Sequence, residues 1–581
     1  MTTETIKDLL RELYGHVPGE LLSGIEALMQ TTADSNPSET MSTNSLWSEQ
    51  DVVLISYADQ IRSDDACPLE TLRSFLIENE LDDQIRCVHL LPFFPYTSDD
   101  GFSVVDYLEV DQDSGNWDEI ARIGESFDLM FDLVLNHCSQ SHAWFRRYLN
   151  GDPDYESFFI DQDPSMDLSA VTRPRSLPLL TPFESSTGEK HIWTTFSADQ
   201  VDLNYANPHV MLRMLETLVE YGRRGARIIR LDAIAYLWKI VGTSCIHLPQ
   251  THAAVRLMRA VLDQAVPGTL VLTETNVPHV ENIRYFGSGD NEAHMVYQFS
   301  LPPLLLDAIH SGDTSALQQW LKTLSPPSST TTFFNFTASH DGIGVRPLEG
   351  LVAPERVRAL AEVVRNAGGR VNTRRNADGT DAPYELNITY LDAVADRRSV
   401  SPAEHSRRFL ATQAIMLAMQ GVPAVYFHSL VGTPNDEEGV RQSGQNRSIN
   451  RHKYRRDELE GALADVDSLQ RRVFDGYRRL LNVRKTLVAF HPNASQTVLE
   501  LPVDGLLGFL RKSASGETVA VIANLSDQPK TIDASVIGYT AAFDVLAEET
   551  LRTLGEIALR PFQVRWIVDP NHAPRIAGRI A

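Results

Sequence analysis

Eight short apolar runs alternate with longer segments of helical apolar spacing along the middle of the chain. The runs are residues 52–57, 88–91, 129–135, 228–231, 270–273, 295–299, 332–336 and 422–427. Short apolar runs are typical of strands buried in a parallel sheet, and their alternation with helical segments is typical of repeated βα units. The count of eight predicts an α/β fold, the (β/α)₈ TIM barrel, although a doubly wound open sheet would show similar local patterns.

The barrel would comprise residues 46–138 and 209–485, and the remaining segments predict additions to it. Residues 4–30 have helical apolar spacing and 31–45 are rich in Ser, Thr, Asn and Pro, so 1–45 reads as a helical extension and linker. Structureless loops of great length are rare unless they are functional, so residues 139–208 and 343–398 predict two inserted lid domains. Short alternating runs after residue 486 predict an antiparallel β domain over 486–581.

Three acidic residues each stand at the end of a different apolar run: Asp232, Glu274 and Asp341. Residues that follow the strands of a parallel barrel line one rim, so these three side chains are expected to converge there. Several carboxyl groups in one cleft suit chemistry at the anomeric carbon of a sugar, where one protonates the leaving oxygen and another faces the developing positive charge. Sugar-bond chemistry is therefore the leading hypothesis.

The neighbours of the three acids suggest separate roles. Arg230 lies two residues before Asp232 in an extended strand, so the two side chains point the same way. A neighbouring guanidinium can lower the pKa of a carboxyl group by about 1 to 3 units. A low pKa suits a nucleophile, which must be ionised. Glu274 has no cation in its immediate stretch, so a raised pKa and an acid/base role are expected. Asp341 beside His340 could accept hydrogen bonds from substrate hydroxyls. Each residue also has a simpler interpretation: an ordinary ion pair for Asp232, a solvated loop glutamate for Glu274 and a plain turn contact for the pair His340-Asp341.

Charge and cysteine content exclude several classes of function. The 581 residues carry a formal net charge of -25 and a pI near 5.1, which disfavours binding to nucleic acid or an anionic membrane. The four cysteines are far apart and lack Cys-x-x-Cys spacing, so neither a disulfide framework nor a structural metal is indicated. The amino terminus lacks a basic start and an apolar run, and no stretch approaches the roughly 18 apolar residues of a membrane span. We expect a cytoplasmic protein.

Several motifs together resemble the α-amylase superfamily of retaining glycoside-active enzymes, glycoside hydrolase family 13. The segment Arg230-Leu-Asp-Ala233, Glu274 and the pair His340-Asp341 are similar to its nucleophile, acid/base and transition-state-stabiliser motifs. Asn136-His137 resembles the family's first conserved motif, whose histidine holds a sugar hydroxyl in the buried subsite. The resemblance implies that Asp232 is the nucleophile, Glu274 the acid/base and Asp341 the stabiliser.

A narrower resemblance is to the sucrose-phosphorylase branch of that superfamily. It is carried by residues 89–95, 98–102, 173–175, 242–245, 340–344 and 446–451. By position it implies a glucosyl pocket formed by Asp99, Phe102, His137, Arg230, His340 and Arg447. Phe102 would give the developing oxocarbenium ion an aromatic face, although taken alone it would more often be a core residue.

Within this branch the chain is most similar to glucosylglycerate phosphorylases, which share the amino-terminal extension and segments such as 273–279, 292–303 and 339–344. Sucrose phosphorylases usually carry Gln where this chain has Glu385 in Tyr384-Glu-Leu-Asn387. The resemblance implies no cofactor and no metal, with an α-glucoside, inorganic phosphate and D-glycerate as small-molecule partners. Phosphorylases of sucrose, sucrose 6-phosphate or glucosylglycerol, a hydrolase or transglucosidase, and a non-catalytic sugar-binding protein remain alternatives.

The two insertions are expected to supply the anion and acceptor contacts. Arg175 resembles the branch's phosphate-binding arginine, and Tyr384 and Glu385 lie in its acceptor loop. Arg374 and Arg375 could also hold phosphate or a carboxylate, because a guanidinium group pairs with either anion. An exposed, solvated arginine pair is the alternative.

Overall fold

Eight parallel strands close into a barrel in the computed structural model, which describes residues 3–30, 46–174, 178–375, 381–539, 542–551 and 555–569. The strands are β1 (Val53–Ser56), β2 (Cys87–Leu90), β3 (Asp128–Leu133), β4 (Ala226–Leu231), β5 (Leu270–Thr273), β6 (Met295–Tyr297), β7 (Thr332–Phe336) and β8 (Val422–Tyr426). The first strand pairs with both the second and the eighth, which closes the sheet. The predicted TIM barrel is confirmed, and the open sheet is excluded.

Helices return the chain between the strands and cover the barrel. The longer ones are Pro68–Glu78, Trp117–Gly124, Pro208–Arg223, Pro249–Ala265, Leu301–Ser311, Ser315–Leu321, Pro354–Asn366, Pro402–Ala418, Arg456–Ala464 and Leu469–Arg484. Several begin with proline after an extended cap residue; the side chain of Ser401, for example, accepts a hydrogen bond from the Glu404 N–H. After β5 the chain forms only the short helices His279–Asn282 and Ile283–Phe286.

Two amino-terminal helices, Thr3–Tyr14 and Gly19–Gln30, pack on the outside of the barrel. They lie against the helices Pro208–Arg223 and Pro249–Ala265 and bury Leu10 and Ile25 completely. The extension is therefore part of the outer helical layer on one side of the barrel. The linker predicted over 31–45 lies outside the described residues.

Both predicted insertions form small sheets beyond the carboxyl ends of the strands. The first contains the helix Ala143–Leu149, the hairpin of Leu180–Ser185 with Gly188–Trp193, and the pairing of His137–Ser139 with Gln200–Asp202. The second forms a three-stranded sheet from Ile343–Gly344, Asp381–Asn387 and Arg370–Arg375. Since they follow β3 and β7, both insertions lie over the rim where the strands end.

The carboxyl-terminal part is an antiparallel β structure, as predicted. Its six-stranded sheet consists of Ser495–Val498, Leu506–Lys512, Thr518–Asn524, Val564–Val568, Ala542–Asp544 and Glu549–Leu551, and Lys530–Asp533 pairs separately with Glu556–Leu559. Arg511 is fully buried where this sheet meets the barrel and donates a 2.6 Å hydrogen bond from Nη1 to the Ala418 carbonyl oxygen. The sheet is thereby joined to the end of a barrel helix, away from the rim.

Candidate active site

A cavity of about 840 Å³ opens at the rim where the barrel strands end. Asp232 after β4, Glu274 after β5 and Asp341 after β7 all line it, together with residues of both insertions. Among the remaining lining residues are Asp99, Asp100, Phe102, His137, Tyr236, Asn276, His340, Asn372, Tyr384, Glu385, Arg447 and Arg451. The structure thus brings the three predicted acids into one cleft, as expected for residues that follow parallel barrel strands.

Asp232 lies at the end of a buried chain of charged groups. Arg230 Nη1 donates a 2.7 Å hydrogen bond to Asp232 Oδ1 and also contacts Oδ1 of Asp132, a residue of β3. His89 Nε2 lies 2.6 Å from the other oxygen of Asp132. Against the cost of burial, Arg230 and His89 lower the pKa of Asp132 to about 2, so this carboxylate is ionised.

The net direction of the Asp232 pKa differs from the sequence-based expectation. Burial raises the pKa of Asp232 above its usual range and outweighs Arg230, which lowers it but is shared with Asp132. Glu274 adds a negative charge that raises the pKa of Asp232 further. The lowering effect expected of Arg230 is present, but the burial of Asp232, which the sequence does not show, outweighs it.

The pKa of Glu274 is raised as well, and its hydrogen-bond partner differs from that of Asp232. Burial, followed by the charge of Asp341, raises the pKa of Glu274 against the lowering effect of Arg230. Its Oε2 accepts a 2.9 Å hydrogen bond from the Ala233 N–H, whereas Asp232 is hydrogen-bonded directly to the Arg230 guanidinium. A charge-assisted hydrogen bond favours an ionised carboxylate more than a bond from a backbone amide does, so the hydrogen bonding favours Glu274 as the protonated member of the pair.

Asp341 is held by the arginines of the segment 446–451. Arg447 Nη1 lies 2.6 Å from Asp341 Oδ1, and Arg447 Nη2 donates a 2.6 Å hydrogen bond to Glu385 Oε1. Glu385 also accepts a 2.9 Å hydrogen bond from Asn372 Nδ2 of the second insertion. Arg447 therefore connects Asp341 to the loop that carries Tyr384 and Glu385.

The floor of the predicted glucosyl pocket is built from an unusual backbone segment. Asp99, Asp100 and Gly101 all have positive φ angles, and a Cβ on Gly101 would lie 2.4 Å from the Pro92 carbonyl oxygen. This turn places Phe102 parallel to the ring of His340, with centroids 4.5 Å apart. The carbonyl oxygen of Phe102 lies 3.0 Å from His137 Nε2.

Arg451, which the sequence reasoning did not single out, ties this turn to the strand ends. Its Nη1 lies 3.2 Å from Asp99 Oδ1 and 3.0 Å from Asp100 Oδ2, and its Nε donates to the His340 carbonyl oxygen at 2.9 Å. Burial, followed by the positive charges of Arg451 and Arg230, holds the pKa of His340 well below its usual range, so its ring is neutral. A neutral ring can accept as well as donate a hydrogen bond.

A buried ammonium group holds the first insertion to the barrel. Lys239 Nζ lies 2.7 Å from Asn136 Oδ1 and 2.7 Å from Asp202 Oδ2. Asp202 also accepts hydrogen bonds from the N–H and the hydroxyl group of Thr195. This arrangement fixes Asn136 next to His137, and the sequence contains no short spacing that would reveal it.

The structure describes only part of the set of arginines that the sequence suggested for anion binding. Arg374 forms a 2.6 Å ion pair with Glu349 at the surface and does not line the cavity in the part of the chain that is described. Arg175 and the side chain of Arg375 lie outside the described residues. Within the described ranges, the cationic side chains that line the cavity are Arg447 and Arg451, and both contact carboxylates.

Three further properties concern the described residues as a whole. In these ranges no three His, Cys, Asp or Glu side chains are grouped so that they could hold a metal ion. Over the same ranges, no helix combines the length and apolar character needed to cross a membrane. The four cysteines, all of them described, are free thiols.

Fold comparisons identify the general class of protein. Residues 82–342 match the family model for the alpha amylase catalytic domain. The crystal structure of sucrose 6F-phosphate phosphorylase from Thermoanaerobacter thermosaccharolyticum superposes with a TM-score of 0.71 at 25% identity, covering 84% of this chain and 96% of that one. An α-amylase from H. orenii superposes with a TM-score of 0.64 at 15% identity over 89% of this chain and 99% of its own, which is a likeness of fold. The closed barrel, its three rim carboxylates and the match of residues 82–342 to the family model together define an α-amylase-type catalytic domain.

Sequence relatives narrow the class further. The chain is 45% identical to glucosylglycerate phosphorylase of Escherichia coli over 97% of this chain and 100% of that protein, and 48% identical to glucosylglycerate phosphorylase of Spirochaeta thermophila over 90% and 89%. Sucrose phosphorylase of Streptococcus mutans is 29% identical over 81% and 94%. The chain belongs to the glucosylglycerate phosphorylase family within the α-amylase superfamily, as the sequence motifs predicted.

Proposed function

We propose that the protein catalyses the reversible phosphorolysis of 2-O-α-D-glucosyl-D-glycerate to α-D-glucose 1-phosphate and D-glycerate, with retention of configuration. The observation that carries the proposal is the convergence of Asp232, Glu274 and Asp341 in one cavity of a chain that is 45% identical to a glucosylglycerate phosphorylase over nearly its whole length. A retaining glycosyl transfer requires a nucleophilic carboxylate and a second carboxyl group that acts as acid and then base.

In the first half-reaction, a carboxylate oxygen of Asp232 forms a bond to the anomeric carbon of the glucosyl unit. The bond between that carbon and the glycerate oxygen breaks, its electron pair remains on the oxygen, and Glu274 donates the proton that neutralises it. Asp341 faces the glucosyl unit while positive charge develops on it. The products of this step are free D-glycerate and a β-glucosyl ester of Asp232.

In the second half-reaction, a phosphate oxygen attacks the same carbon and the ester bond to Asp232 breaks. The electron pair returns to the Asp232 carboxylate, and the Glu274 carboxylate accepts the proton of the attacking phosphate. Asp232 is buried and Glu274 is partly buried where they line the cavity, which supports both steps because partial exclusion of water strengthens the charge interactions. We assign no cofactor and no metal to this chemistry.

The proposed glucosyl subsite consists of Asp99, Phe102, His137, Arg230, His340 and Arg447. Phe102 and His340 are stacked, so one aromatic face of the pair can lie along the sugar ring. Arg230 contacts the nucleophile from behind and is not itself a lining residue, so its proposed contribution is made through Asp232. Asp99 and His137 line the wall formed by the first insertion and the turn before Phe102.

The proposed acceptor subsite includes Tyr384 and Glu385, which line the cavity above Asp341. Phosphate and glycerate are both anions and need a cation, and we retain Arg175 as the phosphate ligand because its segment 173–175 matches the branch motif. We also assign the reaction to the cytoplasm. This assignment is supported by the four free thiols, which suit a reducing compartment.

The substrate assignment is tested by supplying α-D-glucose 1-phosphate with D-glycerate, glycerol, fructose or fructose 6-phosphate and measuring phosphate release. We expect D-glycerate to give the largest kcat/KM. A preference for fructose, fructose 6-phosphate or glycerol would instead favour one of the related phosphorylases, which are 28–30% identical to this chain. Asp232→Asn should abolish turnover with every acceptor, and turnover that persists would exclude Asp232 as the nucleophile.

A further inference from the structure

A fourth carboxylate, Asp132, lies directly behind the nucleophile and outside the cavity. It is completely buried in β3, and one of its oxygens contacts the same Nη1 atom of Arg230 that binds Asp232. Arg230 thus has two carboxylate partners, one inside the barrel and one at the rim. Because Asp132 has no exposed surface, it cannot contact a substrate.

His89 holds the second oxygen of Asp132. The Nε2 atom of His89 lies 2.6 Å from Asp132 Oδ2, and both side chains are buried. An ionised carboxylate only accepts hydrogen bonds, so Nε2 carries the proton and donates it. His89 Nδ1 is buried without a hydrogen-bond partner among the described residues, so Nε2 is the ring nitrogen that orients Asp132.

We propose that Asp132, oriented by His89, is a positioning residue that serves as the permanent counter-ion of Arg230 and thereby keeps Asp232 reactive. This inference rests on the proposed function of Asp232 as the nucleophile. The role differs from those of the three rim acids, because Asp132 acts on the reaction only through the charge and position of the arginine.

The charge balance during the reaction explains why such a counter-ion is useful. With Asp132 in place, the Arg230 guanidinium faces two carboxylates while Asp232 is ionised, and it still faces one when Asp232 is esterified. Without Asp132, the esterified state would leave the Arg230 cation buried and unpaired. Removing one partner of a buried pair is costly, so the glucosyl-enzyme would be destabilised.

The same balance affects the basicity of Asp232. A guanidinium shared between two carboxylates stabilises each of them less than one that is bound to a single carboxylate. Removing Asp132 would free Arg230 to stabilise the ionised form of Asp232, which lowers its pKa and its reactivity toward the anomeric carbon. The change therefore predicts a slower first step together with an acid limb at lower pH.

Other charged and titratable groups face Asp232 and Asp132, and the Asp132→Asn substitution leaves them unchanged. Those around Asp232 are Arg230 on the same strand, Glu274 after β5, Asp341 after β7 and Tyr107 before β3. Those around Asp132 are His89 on β2, Arg230 on β4, Tyr297 on β6, His340 after β7 and Tyr221 on the helix after the first insertion. Only the Asp132 substitution removes a negative charge next to Arg230 without touching the cavity.

The test is the pH dependence of kcat/KM for Asp132→Asn and the wild type, with α-D-glucose 1-phosphate as donor and D-glycerate as acceptor. The acid limb reports ionisation of Asp232 in the free enzyme. We expect it to move to lower pH by about 1 unit and the plateau of kcat/KM to fall by about tenfold or more. A plateau that falls while the acid limb stays in place would overturn the proposal, because it would indicate a structural role alone.

Asp544→Asn is the matched control. Asp544 is also completely buried and pairs with an arginine, Arg565 Nη1 at 2.8 Å, but it lies in the carboxyl-terminal sheet. We expect Asp544→Asn to lower the unfolding temperature without moving the acid limb. The same shift in Asp544→Asn and Asp132→Asn would overturn the proposal.

Two substitutions of His89 provide an independent test if Asp132→Asn does not fold. His89→Leu removes the donor to Asp132, and we expect a loss in kcat/KM with a shift of the acid limb in the same direction but smaller. His89→Gln retains an N–H donor and should recover most of the activity and the wild-type limb. Equal behaviour of the Leu and Gln variants would contradict the orienting role of His89.

An error in the substrate assignment can be distinguished from an error in the inference about Asp132. If the wild type uses another acceptor in place of D-glycerate, the substrate assignment fails, and the pH comparison is made with that acceptor. If Asp232→Asn retains wild-type turnover, the nucleophile assignment fails and the inference about Asp132 fails with it.

Discussion

Replacing Lys239 by methionine should loosen the first insertion, because the Lys239 ammonium group is a buried link between the insertion and the barrel. Lys239 and Asp202 are only 4% and 0% exposed, and Nζ lies 2.7 Å from Asp202 Oδ2. Two unit charges at this distance attract each other by roughly 6 kcal/mol at an effective dielectric constant of about 20. Methionine has a similar length, so the substitution removes the charge while largely preserving the packing.

The expected loss is smaller than this attraction, because Asp202 has other donors. The carboxylate would keep the hydrogen bonds from the N–H and hydroxyl groups of Thr195 and from Asn136 Nδ2. Removing one partner of a buried ion pair costs about 3 to 5 kcal/mol, and the remaining donors place Lys239→Met near the lower end of that range. The double variant Lys239→Met with Asp202→Asn should recover most of this loss, since neither charge then remains.

The assay is urea unfolding of the wild type, the two variants and Lys322→Met, followed by tryptophan fluorescence. Lys322 pairs with Glu500 at the exposed surface, so the same substitution there should cost less than about 1 kcal/mol. Because Asn136 adjoins His137, the Lys239 variant should also lose activity with the proposed substrate. An unfolding midpoint equal to that of Lys322→Met would refute the reasoning, and so would a double variant less stable than Lys239→Met.

Three further predictions concern the acids of the site. Glu274→Gln should reduce kcat for glucosylglycerate by about 100-fold or more. The variant should turn over α-glucosyl fluoride much better, because fluoride leaves without a proton. Equal losses with both donors would contradict the acid role. Glu385→Gln weakens the ion pair to Arg447 and should raise the KM for D-glycerate about tenfold with little change in glucosyl transfer to water; an unchanged KM would argue against acceptor positioning. The pKa of Asp132 is about 2 in the folded protein against an ordinary value of 3.8, so its ionisation stabilises the fold by about 2 kcal/mol above pH 4, and this contribution is lost as the pH falls from 4 to 2. Asp132→Asn should flatten acid unfolding in that window, and a parallel acid curve would contradict the low pKa.

The barrel could be predicted because its strands carry a strong local signal. The eight strands are almost entirely buried, so their sequences are largely apolar and end where a polar residue meets the rim. The same logic placed Asp232, Glu274 and Asp341 in one cleft without knowledge of the tertiary structure. The short helices after β5 could not be anticipated, since 279–286 carry no pattern that distinguishes them from an ordinary returning helix.

The electrostatic network was hidden because its partners are far apart in sequence. Arg230 and Asp132 are separated by 98 residues, and Lys239 and Asn136 by 103. One local signal was available for Asp132: it is an acid within the otherwise apolar run 129–135, and a charge buried in a strand needs a partner. The partner itself, and the burial that sets the net pKa direction of Asp232, follow only from the closed barrel.

The left-handed turn at Asp99, Asp100 and Gly101 bears on how the enzyme distinguishes its sugar. Backbone in this conformation costs of order 1 to 3 kcal/mol at each non-glycine residue, so the turn persists only because Arg451 and the surrounding contacts hold it. A sugar entering the pocket therefore meets a surface that is already shaped and does not spend binding energy on folding it. In the proposed assignment this turn belongs to the glucosyl subsite, so selectivity for the glucosyl unit would be rigid, whereas the proposed acceptor loop around Glu385 is a different segment in which acceptor selectivity could change.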